Sequence, residues 1–214
     1  MTKSIRLHLG CGTVYLKGYK NIDIEHPGSN LVKQGLVDAK YLEKNIVTKL
    51  EDYYVRDKRM KRLILCDEFG DIRVLGKYDK NSIKEIVCFH VLEHLYKEEA
   101  EEALKRWIDL LKIGGRLRLM VPDIYGICTM ILNHHVWNMG SIYEKNQHCY
   151  RLIYGSYNRK SSGLDSHKHC WDKDSLKYIF IENNMTFKIK ESLTDNKFNP
   201  SLYIEGVKHE PENF

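Results

Sequence analysis

The sequence has no apolar run near the roughly 20 residues that a membrane-spanning helix needs. It has no Cys-x-x-Cys pair, so zinc-ribbon and thioredoxin-like motifs are excluded. It has no internal repeat and no low-complexity tract, which excludes solenoids and disordered arrays. Its four prolines (Pro27, Pro122, Pro200, Pro211) stand singly, so no proline-rich linker divides the chain. A large excess of one sign of charge is also absent, with 34 Lys and Arg against 29 Asp and Glu. The net charge is +5 and the lysines are spread along the chain, which reads as a solvated basic surface rather than a nucleic-acid tract. A mild preference for anionic small molecules is compatible with it.

What remains is an ordinary globular composition: 43% hydrophobic and 29% charged over 214 residues, enough for one domain with a real core. We expect a single domain over residues 1–214. Met1 leads directly into a polar-flanked strand without a signal-peptide pattern, so a cytoplasmic location is expected. The six cysteines (Cys11, Cys66, Cys88, Cys128, Cys149, Cys170) are scattered and several lie in apolar strands, so they read as reduced and mostly buried.

The beginning of the chain carries the strongest local pattern. Ile5, Leu7 and Leu9 alternate with polar residues, then Gly10-Cys11-Gly12 follows at once. This predicts a strand entering a glycine turn that lets a ligand approach the main chain. Tyr19 to Ile24 predicts a second strand with Asp23 at its tip, a carboxylate placed as α/β folds place the group that holds a ribose. Tyr15 stands where a dinucleotide fingerprint has its third glycine, and the acid follows Gly10 too soon. Thr13 to Lys20 leaves little room for a crossover helix.

Further on, a helix is expected around Tyr41 to Tyr53 and a short strand over Arg62 to Cys66, with a polar loop from Asp67 to Asn81. Ser82 to Phe89 predicts a buried central strand opening into His90-Val91-Leu92-Glu93-His94. An amphipathic helix from Lys97 to Lys112 follows, with Gly114-Gly115 as its C-cap. Arg116 to Val121 predicts a strand stopped by Pro122. Asp123 to His169 reads as irregular and rich in Tyr, His and Asn. Asp174 to Asn184 predicts a helix, and Thr186–Lys190 with Leu202–Lys208 a closing strand pair. Strands alternating with helices and ending in two strands imply an α/β three-layer sandwich with a mainly parallel sheet.

Four blocks resemble class I S-adenosylmethionine-dependent methyltransferases: Leu7 to Gly12, Asn21 to Asp23, His90 to His94, and Leu110 to Asp123. The resemblance spans Ile5 to about Lys208 and is nearest to small bacterial enzymes with a shortened first crossover, associated with surface-polysaccharide synthesis. It implies a seven-stranded Rossmann-like sheet, a small helical cap after the fifth strand within residues 123–170, and S-adenosyl-L-methionine as cofactor. It assigns Leu9, Gly10, Cys11 and Gly12 to the methionine end, and Asp23 with its neighbour Ile24 to the ribose. Asp71 goes to the adenine amino group, and His90, Val91 and Leu92 to the pocket lining. Asp23 also reads as a turn cap, Asp71 as an exposed loop acid, and Glu93 with His94 as structural residues at a helix entrance.

Methyl transfer to a hydroxyl needs alignment of the reactants and a base. Asp123, His167 and His169 are the candidates, since they follow the fifth strand or precede the next helix. Each histidine also reads as a packing or capping residue. His167-Lys168-His169-Cys170, with His148 and Cys149, has no standard zinc spacing, so no metal is expected. Aromatic residues between Tyr125 and Tyr157 suggest a sugar-binding wall or a packed cap. Arg151, Arg159, Lys160 and Lys168 are candidate phosphate partners. The expected partner is therefore a small-molecule or glycan acceptor, with nucleic acid disfavoured. An RNA or protein methyltransferase and a non-catalytic partner with the same fold are the alternatives.

Overall fold

The computed structural model describes residues 4–25, 29–32, 46–54, 64–133, 140–155, 165–191 and 199–210. In chain order the strands are β1 (Ile5–Leu9), β2 (Tyr15–Leu16), β3 (Lys20–Asp23), β4 (Ser29–Leu31), β5 (Ile46–Val47), β6 (Ile64–Cys66), β7 (Glu68–Phe69), β8 (Ile83–Phe89), β9 (Leu111–Pro122), β10 (Met185–Glu191) and β11 (Ser201–Lys208). The helices are α1 (Lys97–Leu110), α2 (Ile124–Asn133), α3 (Ile142–Tyr154) and α4 (Lys173–Glu182).

Seven strands form one sheet in the order β10-β11-β9-β8-β1-β3-β7. The pairs from β9 through to β7 are parallel, and only β11 runs antiparallel to its neighbours β9 and β10. The expected α/β fold with a mainly parallel sheet is what the chain adopts.

Strand alternation divides the sheet into two buried faces. Leu7, Leu9, Ile86, Cys88, Leu117, Leu119, Leu202 and Ile204 point to one face, against α1 and α4. Along α1, Ala100, Ala103, Leu104, Trp107 and Ile108 recur at helical spacing and are buried there. A fully buried side chain the size of Leu104 or Ile108 contributes about 1.5–3 kcal/mol. The opposite face buries Val87, Phe89, Met120 and Tyr203 beneath Val14, Leu16, Val47 and Tyr53. Part of that face is ionic instead. Arg118 Nε donates to Glu85 at 2.7 Å, its Nη1 lies 3.0 Å from Glu205, and Tyr19 donates to the other Glu85 oxygen at 2.9 Å.

The first crossover holds no helix. Between β1 and β3 the chain makes only the two-residue β2, which pairs with β5. Asn21 carries the polar load of this short connection. Its Oδ1 accepts from the Leu16 N–H at 2.8 Å and from His8 Nδ1 at 2.8 Å. Its Nδ2 donates to the Leu16 and Tyr19 carbonyls and to Asp67. Because Oδ1 can only accept, the His8 proton sits on Nδ1 and its Nε2 accepts from Tyr53 Oη at 2.9 Å. Asp67 also takes the Asn21 N–H and the Tyr15 hydroxyl, each at 2.7 Å.

Several local expectations change. The helix expected over Tyr41 to Tyr53 is, within its described part, β5 and a 3₁₀ turn at Leu50–Asp52, because Val47 and Tyr53 serve the second sheet face. Residues 41–45 lie outside the described residues, as do Arg62 and Leu63. The Asp67–Asn81 loop contains the short edge strand β7. Helix α1 ends at Leu110, two residues before the expected end, and Leu111 already pairs with Ile83. Gly114 (φ +75°) and Gly115 then serve a bulge in β9, not a helix cap, since Ile83 opposes Leu111 but Glu85 opposes Arg116. A Cβ on Gly115 would stand 2.7 Å from the Lys112 carbonyl oxygen. The stretch read as irregular after Asp123 contains α2 and α3, joined through Ile127, Met130 and Cys149 in a small core of their own. Cys128 and Cys170 are exposed, so burial holds for the other four cysteines.

Replacing Asn21 with leucine strands the Leu16 N–H and the His8 Nδ1–H inside the fold. Asn21→Leu is expected to lower stability by about 3 kcal/mol in urea titration. A loss under about 1 kcal/mol would mean the connection holds without the amide.

Candidate functional site

The carboxyl ends of β1, β8 and β9 open into a cleft of about 640 Å³. The glycine loop, Gly10 to Val14, lines it. Tyr53 and Tyr54 close one side and Phe89 and His90 continue the wall. Arg151, Leu152 and Gly155 reach in from the end of α3, with Asp165 and His167 following. Asn199, Pro200 and Ser201 close the rim, brought there because Ser201 pairs with Pro122.

The glycine loop is built for close approach. Gly10 has φ +62°, and a Cβ there would overlap Val91 Cγ2. Gly12 has φ +52°, and nothing described lies within 4 Å of where its Cβ would stand. Both are left-handed, where side chains are strained. The Gly12 N–H donates to Asp23 Oδ2 at 2.5 Å, and Asp23 Oδ1 accepts from the Ile24 N–H at 2.8 Å. Asp23 is 7% exposed, so it buttresses the loop from behind. The Cys11 thiol points inward to the Leu65 carbonyl, and burial first, then Asp23, pushes its pKa far up.

His90 is one of three non-glycine residues with positive φ (+55°) among the described residues, at the tip of β8. Its N–H donates to the Met120 carbonyl at 2.7 Å, which holds the strained turn in place. Its Nδ1 lies 3.2 Å from Glu93 Oε1, and its ring meets Tyr54 edge-on. Glu93 is 2% exposed, yet it and His94 line the cleft. Burial raises the Glu93 pKa, but the His90 hydrogen bond and the His90 and His94 charges leave it below the usual value. The Glu93 carbonyl accepts from the Lys168 and His169 N–H groups, fastening the 165–169 segment over this turn.

Of the three residues expected to do chemistry, His167 alone lines the cleft. Burial, opposed by Glu93, lowers its pKa, so its imidazole is neutral at neutral pH. Asp123 instead accepts from the Tyr125 N–H at 3.1 Å at the start of α2. His169 packs edge-on against Trp171 in a side pocket with Ile124 and Cys170. Among the cofactor candidates, Gly10, Cys11, Gly12 and His90 lie in the cleft wall. Leu9 and Leu92 are core residues, Val91 packs on Gly10, and Ile24 caps Asp23.

Asp71 lies outside the cleft wall. Arg73 clamps both of its oxygens and reaches Glu99 at 2.5 Å, and Trp107 Nε1 donates to the next carbonyl, Ile72, at 2.9 Å. The loop is thereby fixed to α1, and the Arg73 bond lowers the Asp71 pKa. Arg159 and Lys160 lie outside the described residues, as do Trp137 and Tyr157.

Sequence reasoning missed Tyr53, Tyr54 and Asn199–Ser201 as cleft residues. They carry no motif and arrive through β5 and β11. Glu93 and His94 stood in a recognised block but were read as helix-entry residues.

Solved structures with this fold include an S-adenosylmethionine-dependent methyltransferase from Methanosarcina mazei. It is 13% identical at TM-score 0.53, over 98% of this chain and 95% of that one. Another, from Clostridium acetobutylicum, is 10% identical at TM-score 0.52, over 98% and 86%. A protein from Pyrococcus horikoshii is 12% identical at TM-score 0.52, over 97% and 84%. No family model and no curated protein matches the sequence.

Gly10→Ala is expected to lower stability by about 2 kcal/mol, from left-handed strain and overlap with Val91. Val91→Ala in the same chain should recover part of that loss. Urea titrations giving the same loss in both backgrounds would rule out the Val91 contact as the constraint.

Proposed function

We propose that the chain is an S-adenosylmethionine-dependent methyltransferase acting on an oxygen of a small anionic acceptor. The acceptor class is a phosphorylated or nucleotide-linked sugar, or a similar precursor of a surface polysaccharide. The observation that carries the reading is the glycine loop at the carboxyl end of β1, with no described residue within 4 Å of where a Gly12 Cβ would stand and Asp23 behind it. The fold is shared with solved methyltransferases that are 13% and 10% identical.

When bound, S-adenosylmethionine supplies a sulfonium-borne methyl group that leaves as the acceptor oxygen bonds to it. The chain has to bind, orient and exclude water. Gly10 and Gly12 would pass beside the methionine portion. Asp23, at the tip of β3 beside the glycine loop, would accept from ribose hydroxyls. Arg151, from the cap, is a cation in the wall suited to an anionic acceptor. Asp71, committed to Arg73, is better placed as a clamp than as an adenine partner. No described helix is long and apolar enough to cross a membrane. We place the activity in the cytoplasm, in one domain with residues 123–170 on the acceptor side.

Calorimetric titration with S-adenosylmethionine and S-adenosylhomocysteine tests this. One-to-one binding in the micromolar range is expected, reduced at least tenfold in Asp23→Ala. No binding to either compound would overturn the reading. Unchanged affinity in Asp23→Ala would remove it as the ribose ligand.

A further inference from the structure

The turn after β8 and the segment before α4 bring three metal-ligating groups together. One donor atom each from Glu93, His94 and His167 lies within 4.8 Å of the others, the one such grouping among the described residues. All three residues line the same cleft as the glycine loop. This is a different set from the His/Cys run around residues 167–170, for which no metal was expected.

The remaining valences of these groups are arranged as a metal's supporting shell would be. Glu93 Oε1 is held by His90 at 3.2 Å, while Glu93 Oε2 is buried and has no hydrogen-bond partner among the described residues. A native fold rarely leaves a buried carboxylate oxygen orphaned, because the desolvation penalty is uncompensated. His94 Nδ1 lies 3.2 Å from the Ser166 carbonyl, which can only accept. The proton therefore sits on Nδ1 and the Nε2 lone pair is left for a ligand. The His167 ring faces the His94 ring in the cleft wall. The two rings meet edge to face at 4.9 Å.

We propose that Glu93, His94 and His167 form a binding site for a divalent first-row transition-metal ion. Two imidazoles and one carboxylate suit Zn²⁺, Mn²⁺, Fe²⁺ or Co²⁺ rather than Mg²⁺ or Ca²⁺, which favour all-oxygen shells. Ligands at 2.0–2.1 Å from one ion stand about 3.3 Å apart, so the three, now within 4.8 Å, need to draw in by up to about 1.5 Å. Rotation of His94 and His167, both partly exposed at the cleft, supplies that movement. Three protein ligands leave open positions, and these face the cleft. Resting on the methyltransferase reading above, the open positions take an oxygen of the acceptor, a hydroxyl or an anionic group. His167 is then a metal ligand and not a free base.

The test uses the full chain stripped with a chelator and titrated with ZnCl₂ or MnCl₂ in the absence of cofactor and acceptor. One ion per chain is expected, with affinity reduced at least 30-fold in His167→Ala and unchanged in His169→Ala. Circular dichroism checks that each variant is folded. Cobalt-loaded wild-type protein gives a second measurement that needs no variant, since X-ray absorption should show two imidazoles on the metal. Absence of stoichiometric binding, unchanged affinity in folded His167→Ala, or a cobalt shell without two imidazoles each overturns the site. Cofactor titration of the metal-free protein is read separately, so failure here and failure of the methyltransferase reading are distinguishable.

Discussion

The side-chain amide of Asn21 is the interaction on which the N-terminal half depends. Parallel strands are ordinarily joined by a helix that satisfies its own backbone and covers the sheet. Here β1 returns to β3 through a handful of residues, and their buried peptide groups need partners from elsewhere. The Asn21 side chain makes five hydrogen bonds, to two backbone carbonyls, one backbone N–H, His8 and Asp67. A fully satisfied polar network of this kind specifies one arrangement, because any other leaves groups orphaned in a low dielectric. Through His8 it also sets Tyr53, and hence one wall of the cleft.

The two faces of the sheet meet this constraint differently. Below α1 and α4 the contacts are apolar and follow the helical period. On the other face, short segments take the place of a full helix among the described residues. There Glu85, Arg118 and Glu205 form an ion row flanked by Tyr19 and Tyr203. A charge buried without its partner would be costly, so these residues hold the register of β8, β9 and β11 together.

The turn from His90 to His94 joins structure to chemistry. Val91 packs so tightly on Gly10 that only glycine fits, Leu92 enters the core, and the Glu93 carbonyl anchors the 165–169 segment. The same five residues turn His90, the Glu93 carboxylate and His94 toward the cleft. A carboxylate 2% exposed with one oxygen orphaned is expensive for a purely structural helix entrance. A positive partner in the cleft resolves that cost.

The sequence alone determined the main strands β1, β3, β8, β9, β10 and β11, the glycine turn after β1, the acid at the tip of β3, and the apolar stripe of α1. These depend on local periodicity and on backbone conformations that only glycine adopts freely, so neighbouring residues reveal them. The tertiary structure decided which polar groups meet. Arg73 clamps Asp71 and reaches Glu99, and of Asp123, His167 and His169 only His167 lines the cleft. Tyr53 and Ser201 enter the site through strands with no motif of their own. His94 and His167 stand 73 positions apart and meet only because the 165–169 segment is hydrogen-bonded over the turn after β8. Side-chain convergence across such separations is set by sheet order and packing, which leave no periodic trace in the chain.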